Sequence, residues 1–456
     1  MFLNFKLENM NLKKSKYLFH TSRLIGQNQY VYLLFSGRKA KNIVVSKEIY
    51  EKVLNSNTDS LSSSIKNILI ENKILVEQME DEFVEVNKEN RHFLKENKND
   101  CLYISIQPTA VCQLACDYCG QVHSKMYLNG KHIDAIINRV NNKLSAVEFK
   151  NLKIGWFGGE PLCALKNMIE LNSRLKELTS SHNIQYSGQL TTNGYALSPD
   201  IYARMKNEFN MHKIEITLDG VKEFHDQRRF KCNGEGSFDR IFQNIISIVS
   251  SPAYDFKECP ISLRCNVDER NVDGVMPLLQ LLVDHHLQNK VYFYTAPVVS
   301  WANNGAGSKN GQSLLGRYST EFIAFMIENG FRVRILPQRS APYACIGTEE
   351  HAEMYDTEGY IFDCSETSYS DYYAKQGYIL GNVMDTTNLD NRGSKIRTVP
   401  EKLLNGEIKD CKNCKFYPLC GGMCPLALIE GTPRCPSFIH NIEDRMFLDY
   451  IEKSRR

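Results

Sequence analysis

The chain has no excess of charge of either sign: 55 Lys and Arg stand against 53 Asp and Glu, a formal net charge of +2 over 456 residues. A balance this even supplies no broad basic field for nucleic acid or for an acidic membrane surface. No run of roughly eighteen apolar residues, the length that begins to cross a bilayer, occurs anywhere. The first residues, MFLNFKLENMNLKKSKYLF, lack an apolar core followed by a small-residue cleavage site. There is no internal repeat and no low-complexity tract. These absences predict a cytoplasmic protein with neither nucleic acid nor membrane as partner. With 42% apolar and 24% charged residues the composition is globular, and the length is too great for one core, so about two to four domains are expected.

What is abundant is cysteine, 15 in all. A reducing cytosol disfavours disulfides, so this number asks for another chemical reason. Ten of them cluster: Cys112, Cys116 and Cys119, then Cys345, Cys364, Cys411, Cys414, Cys420, Cys424 and Cys435. The other five, Cys101, Cys163, Cys232, Cys259 and Cys265, are scattered and read as small buried apolar residues.

Three regions separate, at 1–98, 99–310 and 311–456. The first holds two β-type runs, QYVYLLFSG and AKNIVVS, around a Gly-Arg-Lys turn, then two helical segments, KEIYEKVLNS and LSSSIKNILIENKIL. The charged stretch NKENRHFLKENKND reads as a linker to the next region. In the second, β-type runs alternate with helical ones: CLYISIQP, NLKIGWFGG, YSGQLTTNG, HKIEITLDG, PISLRCNVD and KVYFYTAPV. This rhythm predicts an α/β fold, a parallel sheet of six strands covered by helices and curled into a partial (β/α) barrel. The third region is loop-rich and cysteine-dense.

CLYISIQP alternates Leu102, Ile104 and Ile106 as a first barrel strand. AVCQLACDYCGQ, residues 110–121, therefore occupies the loop at its C-terminal end, where such barrels carry their chemistry. A disulfide would use two of its three cysteines, and a tetrahedral zinc site normally wants four N or S ligands. A [4Fe–4S] cube can take three thiolates and leave one iron open to a small molecule. Zinc remains the rival reading of the loop.

The C-x3-C-x2-C of Cys112, Cys116 and Cys119 resembles the signature of the radical S-adenosylmethionine enzymes. The resemblance implies that the open iron binds S-adenosylmethionine, whose reductive cleavage gives a 5′-deoxyadenosyl radical that abstracts hydrogen from substrate. It also implies a small reductant protein of flavodoxin or ferredoxin type. Further segments match that family. GGEP, Gly158 to Pro161, would meet the methionyl amino group, with Gly158 and Gly159 admitting close backbone approach and Glu160 accepting. Tyr118 matches the aromatic beside the adenine. TLDGVKEFHDQRR places Thr217 and Arg229 at the positions of two cofactor contacts, with Arg228 adjacent to Arg229. Asp219 and His225 fit either the turn or the ligand, and TTNG (191–194) and RCNVD (264–268) match strand-end text with weaker roles.

Cys345-x13-Gly359-x4-Cys364, Cys411-x2-Cys414-x5-Cys420-x3-Cys424 and Cys435 resemble the seven-cysteine pattern of the SPASM domain, which carries two auxiliary Fe–S clusters. By resemblance, Cys345, Cys364, Cys424 and Cys435 would enclose one cluster, and Cys411, Cys414 and Cys420 the other. Its fourth ligand is open; His351 and Glu349 are candidates. The resemblance covers about residues 100–440 and implies action on peptides. In its sulfatase-maturing branch an aspartate follows the second SPASM cysteine, where this chain has Ser365, flanked by Asp363 and Glu366. Residues 1–98 resemble the winged-helix-like element by which peptide maturases bind a precursor's leader, through strand addition at an exposed edge. The expected function is a radical peptide maturase that forms an intrapeptide thioether or carbon–carbon cross-link in a ribosomally made precursor peptide. Formylglycine formation or epimerisation is one alternative, and a non-catalytic Fe–S or zinc sensor or scaffold is another. No catalytic side chain is assigned.

Overall fold

The computed structural model describes residues 11–97, 99–301, 311–340, 345–385 and 393–455; the boundary expected at 310 lies outside them. The six alternating runs of the second region all form strands: β6 (Cys101–Ile106), β7 (Asn151–Trp156), β8 (Gln185–Thr192), β9 (Met211–Thr217), β10 (Ile261–Val267) and β11 (Tyr292–Pro297), where β1 to β5 belong to the N-terminal region. Each pairs in parallel with the next, from β6 through to β11. Leu102, Ile104 and Ile106 of β6 are fully buried, as are Leu152 and Ile154 opposite them on β7. Helices cross between the strands, among them Gly130–Ala146, Leu165–Ser181 and Phe238–Val249. The last buries Ile241, Ile245 and Ile248 at helical spacing against the sheet.

The sheet does not close. Its order is β11-β10-β9-β8-β7-β6-β12-β13-β14, with β12 (Glu353–Tyr355), β13 (Tyr360–Phe362) and β14 (Gly381–Asn382) coming from the cysteine-rich region. β12 pairs in parallel with β6, and the β12–β13 hairpin brings the chain directly to Cys364. A buried ion pair fastens the junction, with Arg139 and Lys143 both reaching Glu353. The barrel is therefore partial, one edge extended by the C-terminal region and the other left at β11.

The N-terminal region is a three-stranded antiparallel sheet, β2 (Leu18–Ile25), β3 (Gln29–Ser36) and β4 (Lys41–Val45), with two helices, α1 (Lys47–Leu54) and α2 (Ser63–Glu71). A small pair, β1 (Leu12–Lys14) with β5 (Leu75–Glu77), closes it. The expected hairpin is β3–β4, whereas β2 was not anticipated. The stretch read as a linker is instead a helix, α3 (Glu82–Asn97). It docks on the cysteine-rich region: Asn87 accepts from the Tyr417 hydroxyl at 2.8 Å, Phe83 lies 5.2 Å from the Tyr417 ring, and Arg339 pairs with Glu89. Phe19, Leu33 and Phe35 share an apolar cluster with Leu419, Ile442 and Met446. The N-terminal unit is thus built into the molecule, not suspended from it.

Candidate functional site

A cavity of about 540 Å³ opens at the C-terminal ends of the barrel strands, lined by Cys112, Cys116 and Cys119. The loop carrying them has no regular secondary structure and is stitched in place by backbone hydrogen bonds. The amides of Ala115 and Asp117 donate to the carbonyls of Phe230 and Arg228, the Cys232 amide donates to Gln113, and the Glu160 amide donates to Val111. Glycine is required where the β7 loop meets it: a Cβ on Gly159 would lie 2.5 Å from the Val111 oxygen, and Gly158 has φ +107°.

The three thiols are free. Burial pushes Cys112 up to about 12 and Cys116 up to about 11, and Arg229 opposes the shift at all three cysteines. Among the described residues no three His, Cys, Asp or Glu side chains come together closely enough for a single metal ion. A cubane takes one thiolate at each separate iron, so thiols spread around a shared cavity suit it. The Arg229 Nε, buried at the cavity, has no hydrogen-bond partner among the described residues and offers a donor to an anionic or polar ligand. This donor set fits a [4Fe–4S] cluster with S-adenosylmethionine beside it.

Tyr118, Gly158, Gly159, Thr217 and Arg229 all line the cavity. Burial works against the Arg229 charge, yet Cys116, Tyr118 and Asp219 outweigh it and hold the group protonated. Its neighbour Arg228 also lies over the Tyr118 ring but pairs with Asp268 at 3.1 Å and does not line the cavity, which distinguishes the two arginines that sequence left side by side. Asp219 and His225 hold the turn. The Asp219 amide donates to His225 Nδ1, which places the proton on Nε2; this donates to Ser237 Oγ, and the hydroxyl donates on to the Arg229 carbonyl. Burial, with Arg229 and Arg228 nearby, keeps that imidazole neutral.

Glu160 lies behind the cavity wall. Its carboxylate does not line the cavity: it is fully buried and accepts from the Leu162 amide, the Thr192 hydroxyl and the Asn193 amide at 3.1, 2.6 and 2.7 Å. With those three bonds it ties the β7 and β8 strand ends together. TTNG contributes Thr191, Thr192 and Asn193 to the wall, and RCNVD contributes Arg264 and Asn266. Sequence reasoning missed Glu215, which faces Arg264 at 3.8 Å; its inward place on β9, two residues before Thr217, was the available signal.

The cysteine-rich region forms the opposite wall, with Glu366, Met423, Arg434 and Cys435. Its seven cysteines lie near one another in two sets, which bears on the grouping the resemblance implied without deciding it. Cys364 is acted on electrostatically by Cys424 and Cys345, and packs with Cys424 on the cluster of Tyr373, Tyr378 and Leu426. Cys435 belongs with the others: Cys411 and Cys420 both sense it, and it senses Cys414. Between Cys420 and Cys424 the chain turns through Gly421, Gly422 and Met423, all of positive φ. Of the two candidate further ligands, Glu349 lies near Cys345 and His351 packs edge-on against Phe149. Among the scattered cysteines, Cys259 and Cys265 are buried as expected, but Cys232 is exposed.

Residues 106–250 match the sequence family described as the radical SAM superfamily. A cysteine-type anaerobic sulfatase-maturating enzyme of Clostridium novyi (strain NT) is 23% identical over 373 residues, covering 74% of this chain and 90% of the relative. A serine-type enzyme of the same description from Bacteroides thetaiotaomicron is 23% identical over 369 residues, covering 71% and 82%. A solved structure described as native anSMEcpe with bound AdoMet superposes at a TM-score of 0.57 and 18% identity, covering 78% of this chain and all of that one, a likeness of fold. Among the described residues no helix is long and apolar enough to cross a membrane. The chain carries a radical S-adenosylmethionine domain, holds that cofactor with a [4Fe–4S] cluster, and is an enzyme of radical chemistry homologous to the anaerobic sulfatase-maturating enzymes.

Proposed function

We propose that this enzyme is a peptide maturase that abstracts hydrogen from a residue of a ribosomally made precursor and forms an intrapeptide thioether or carbon–carbon cross-link. The observation that carries the reading is that one cavity is walled on one side by the Cys112–Cys119 loop and on the other by the cysteine-rich region. S-adenosylmethionine and the cluster, when bound, supply the radical. The chain's own residues position and shield: Arg229 and Thr217 present donors, Gly158 and Gly159 admit close approach, and Leu114, Val298 and Leu315 keep part of the wall apolar. Cys345, Cys364 and Cys424 would hold one auxiliary Fe–S cluster, and Cys411, Cys414, Cys420 and Cys435 a second. These clusters would accept the surplus electron, and a flavodoxin- or ferredoxin-type protein would supply the first one.

The N-terminal sheet would receive the leader. Supporting this, β4 is an edge strand and Val44 on it is 56% exposed, with Tyr30 on β3 55% exposed. Formylglycine formation is the second reading, favoured by the carboxyl of Glu366 at the cavity wall; burial pushes its pKa up, against the pull of Arg264.

The test is anaerobic reconstitution with dithionite, S-adenosylmethionine and the short open reading frames encoded beside the gene. 5′-Deoxyadenosine with a peptide that has lost two hydrogens and carries a new internal linkage supports cross-linking. A peptide aldehyde would transfer the assignment to formylglycine formation, and 5′-deoxyadenosine with no peptide altered would remove the peptide substrate.

A further inference from the structure

A second and larger cavity, about 1270 Å³, runs alongside the first and meets it at Thr295 and Ser437, which line both. It follows the open edge of the barrel. One side is β11, the terminal strand of the sheet, with no strand paired beyond it among the described residues. The other is the segment FRVRILP, residues 331–337, which follows the helix Gly311–Glu328. The mouth reaches the N-terminal sheet at Lys41 and Asn42.

FRVRILP has the alternation of a strand. Phe331 and Ile335 are buried, and Arg332 and Arg334 between them are exposed. It nevertheless joins no sheet, and among the described residues no hydrogen bond engages the amides of Arg332, Val333 or Arg334. Arg445 fixes its far end by donating from Nη1 to the Ile335 carbonyl at 3.0 Å. Two strand-like rails thus flank a groove, each with backbone groups available for pairing.

The groove is also strongly basic. Lys41, Lys213, Arg332, Arg334, Arg445 and Lys453 line it, against Asp449 and Glu452. Asp449 is already paired with Lys453, and Lys213 with Glu215. Lys41, Arg332, Arg334 and Arg445 have no carboxylate within 4.0 Å among the described residues. Arg445 spends its three nitrogens on neutral acceptors, Asn441, Ile335 and Ser319. A cationic slot between two unpaired edges, leading into the reaction cavity, selects an extended chain of negative charge.

We propose that this groove binds an acidic, extended segment of the polypeptide substrate, laid between β11 and residues 331–336, and so feeds the modified residue to the radical site. The assignment rests on the peptide-maturase reading and adds to it the charge and conformation of the segment held. Backbone pairing supplies the extended geometry. The four uncompensated cations supply the preference for Glu and Asp.

The reconstituted full-length chain tests it, with a fluorescein-labelled peptide alternating Glu with Val followed by fluorescence anisotropy. Binding should weaken as salt rises through the range where the Debye length shortens. Arg332→Glu combined with Arg334→Glu should weaken it about tenfold or more, the effect of a modest change in ion pairing. Both positions are exposed and outside the cofactor site, so circular dichroism and 5′-deoxyadenosine formation should be unchanged. A proline in the middle of the peptide should weaken binding more than alanine.

Equal binding of the matching Lys–Val peptide, or unchanged affinity in the double variant, overturns the proposal. So does an oligodeoxynucleotide of equal charge that binds as tightly, or a dimer that the charge reversal dissociates. Failure of the underlying reading looks different: precursor peptides would go unmodified in the wild type itself. Modification that proceeds while the acidic peptide ignores the arginines would remove the groove alone.

Discussion

Arg229 donates through Nη1 to the hydroxyl of Tyr118, and that hydroxyl donates in turn to Asp219 at 2.5 Å. The contact links the cysteine loop to the turn after β9, and it aims a cation at the three thiols from a fixed direction. Arg229→Ala would strand Asp219 and the phenol beside a cavity that has lost its cation. Cofactor cleavage should fall on the order of a hundredfold, the usual effect of losing one oriented donor. Arg229→Lys should recover little of it, because one ammonium cannot both reach the Tyr118 hydroxyl and present a second donor where Nε stands. Iron content with 5′-deoxyadenosine release checks this; full cleavage in the alanine variant would contradict it.

Replacing Cys112, Cys116 and Cys119 together by alanine should lower iron by about four atoms per chain and abolish 5′-deoxyadenosine. Iron beyond that loss should stay if the seven cysteines of the C-terminal region hold the proposed auxiliary clusters. Persistent cleavage in the triple variant would sink the assignment of the loop.

The division of the seven cysteines is open to a paired comparison. Cys411→Ala and Cys435→Ala should each remove about four irons and, combined, still remove about four, because they share one cluster. Cys364→Ala with Cys435→Ala should remove about eight. Elemental analysis with Mössbauer spectroscopy distinguishes these outcomes, and additive loss from Cys411 and Cys435 would reverse the grouping.

Asp356, buried in the turn between β12 and β13, is pushed up to about 7 by burial, in spite of the Tyr360 and Glu358 amides on Oδ1. A carboxyl whose folded pKa lies above its unfolded one favours the protonated native state, so stability should fall as pH rises from about 4 towards 7 and then level off. Asp356→Asn keeps the Oδ1 acceptor and should raise the melting temperature at neutral pH while flattening that slope. Scanning calorimetry across the range checks both signs.

Removing residues 1–98 should destabilise the remainder, because Leu419, Ile442 and Met446 would lose the Phe19, Leu33 and Phe35 side of their cluster. A lower melting temperature or aggregation is expected. An unchanged melting temperature would show that the interface contributes nothing. For the same reason a truncated chain is a poor probe of leader binding, and substitutions on the exposed β4 edge serve better.

The barrel could be read from sequence because its strands bury one face: alternation at Leu102, Ile104 and Ile106 reports a physical constraint that nothing else in the neighbourhood blurs. α3 was misread for the opposite reason. Its buried face includes Asn87 and Asn90, and polar side chains that bond Tyr417 and Arg339 leave no apolar stripe to detect. β2 hides similarly, with His20, Thr21, Ser22 and Arg23 along its middle. At the site, residue types and spacings located the thiols and Arg229. They could not say that the Glu160 carboxylate is buried among Leu162, Thr192 and Asn193, or that the chain turns through three residues of positive φ between Cys420 and Cys424. Those are facts of direction, settled by how the loops pack.

The cysteine loop is moored through main-chain atoms of Ala115, Asp117, Gln113 and Cys232, contacts that would be the same whatever side chains those residues carried. A mooring of that kind is indifferent to substitution. The chain can drift in composition around its thiols and keep them where they are. Change can then collect in the cavity walls while the anchor beneath them stays fixed.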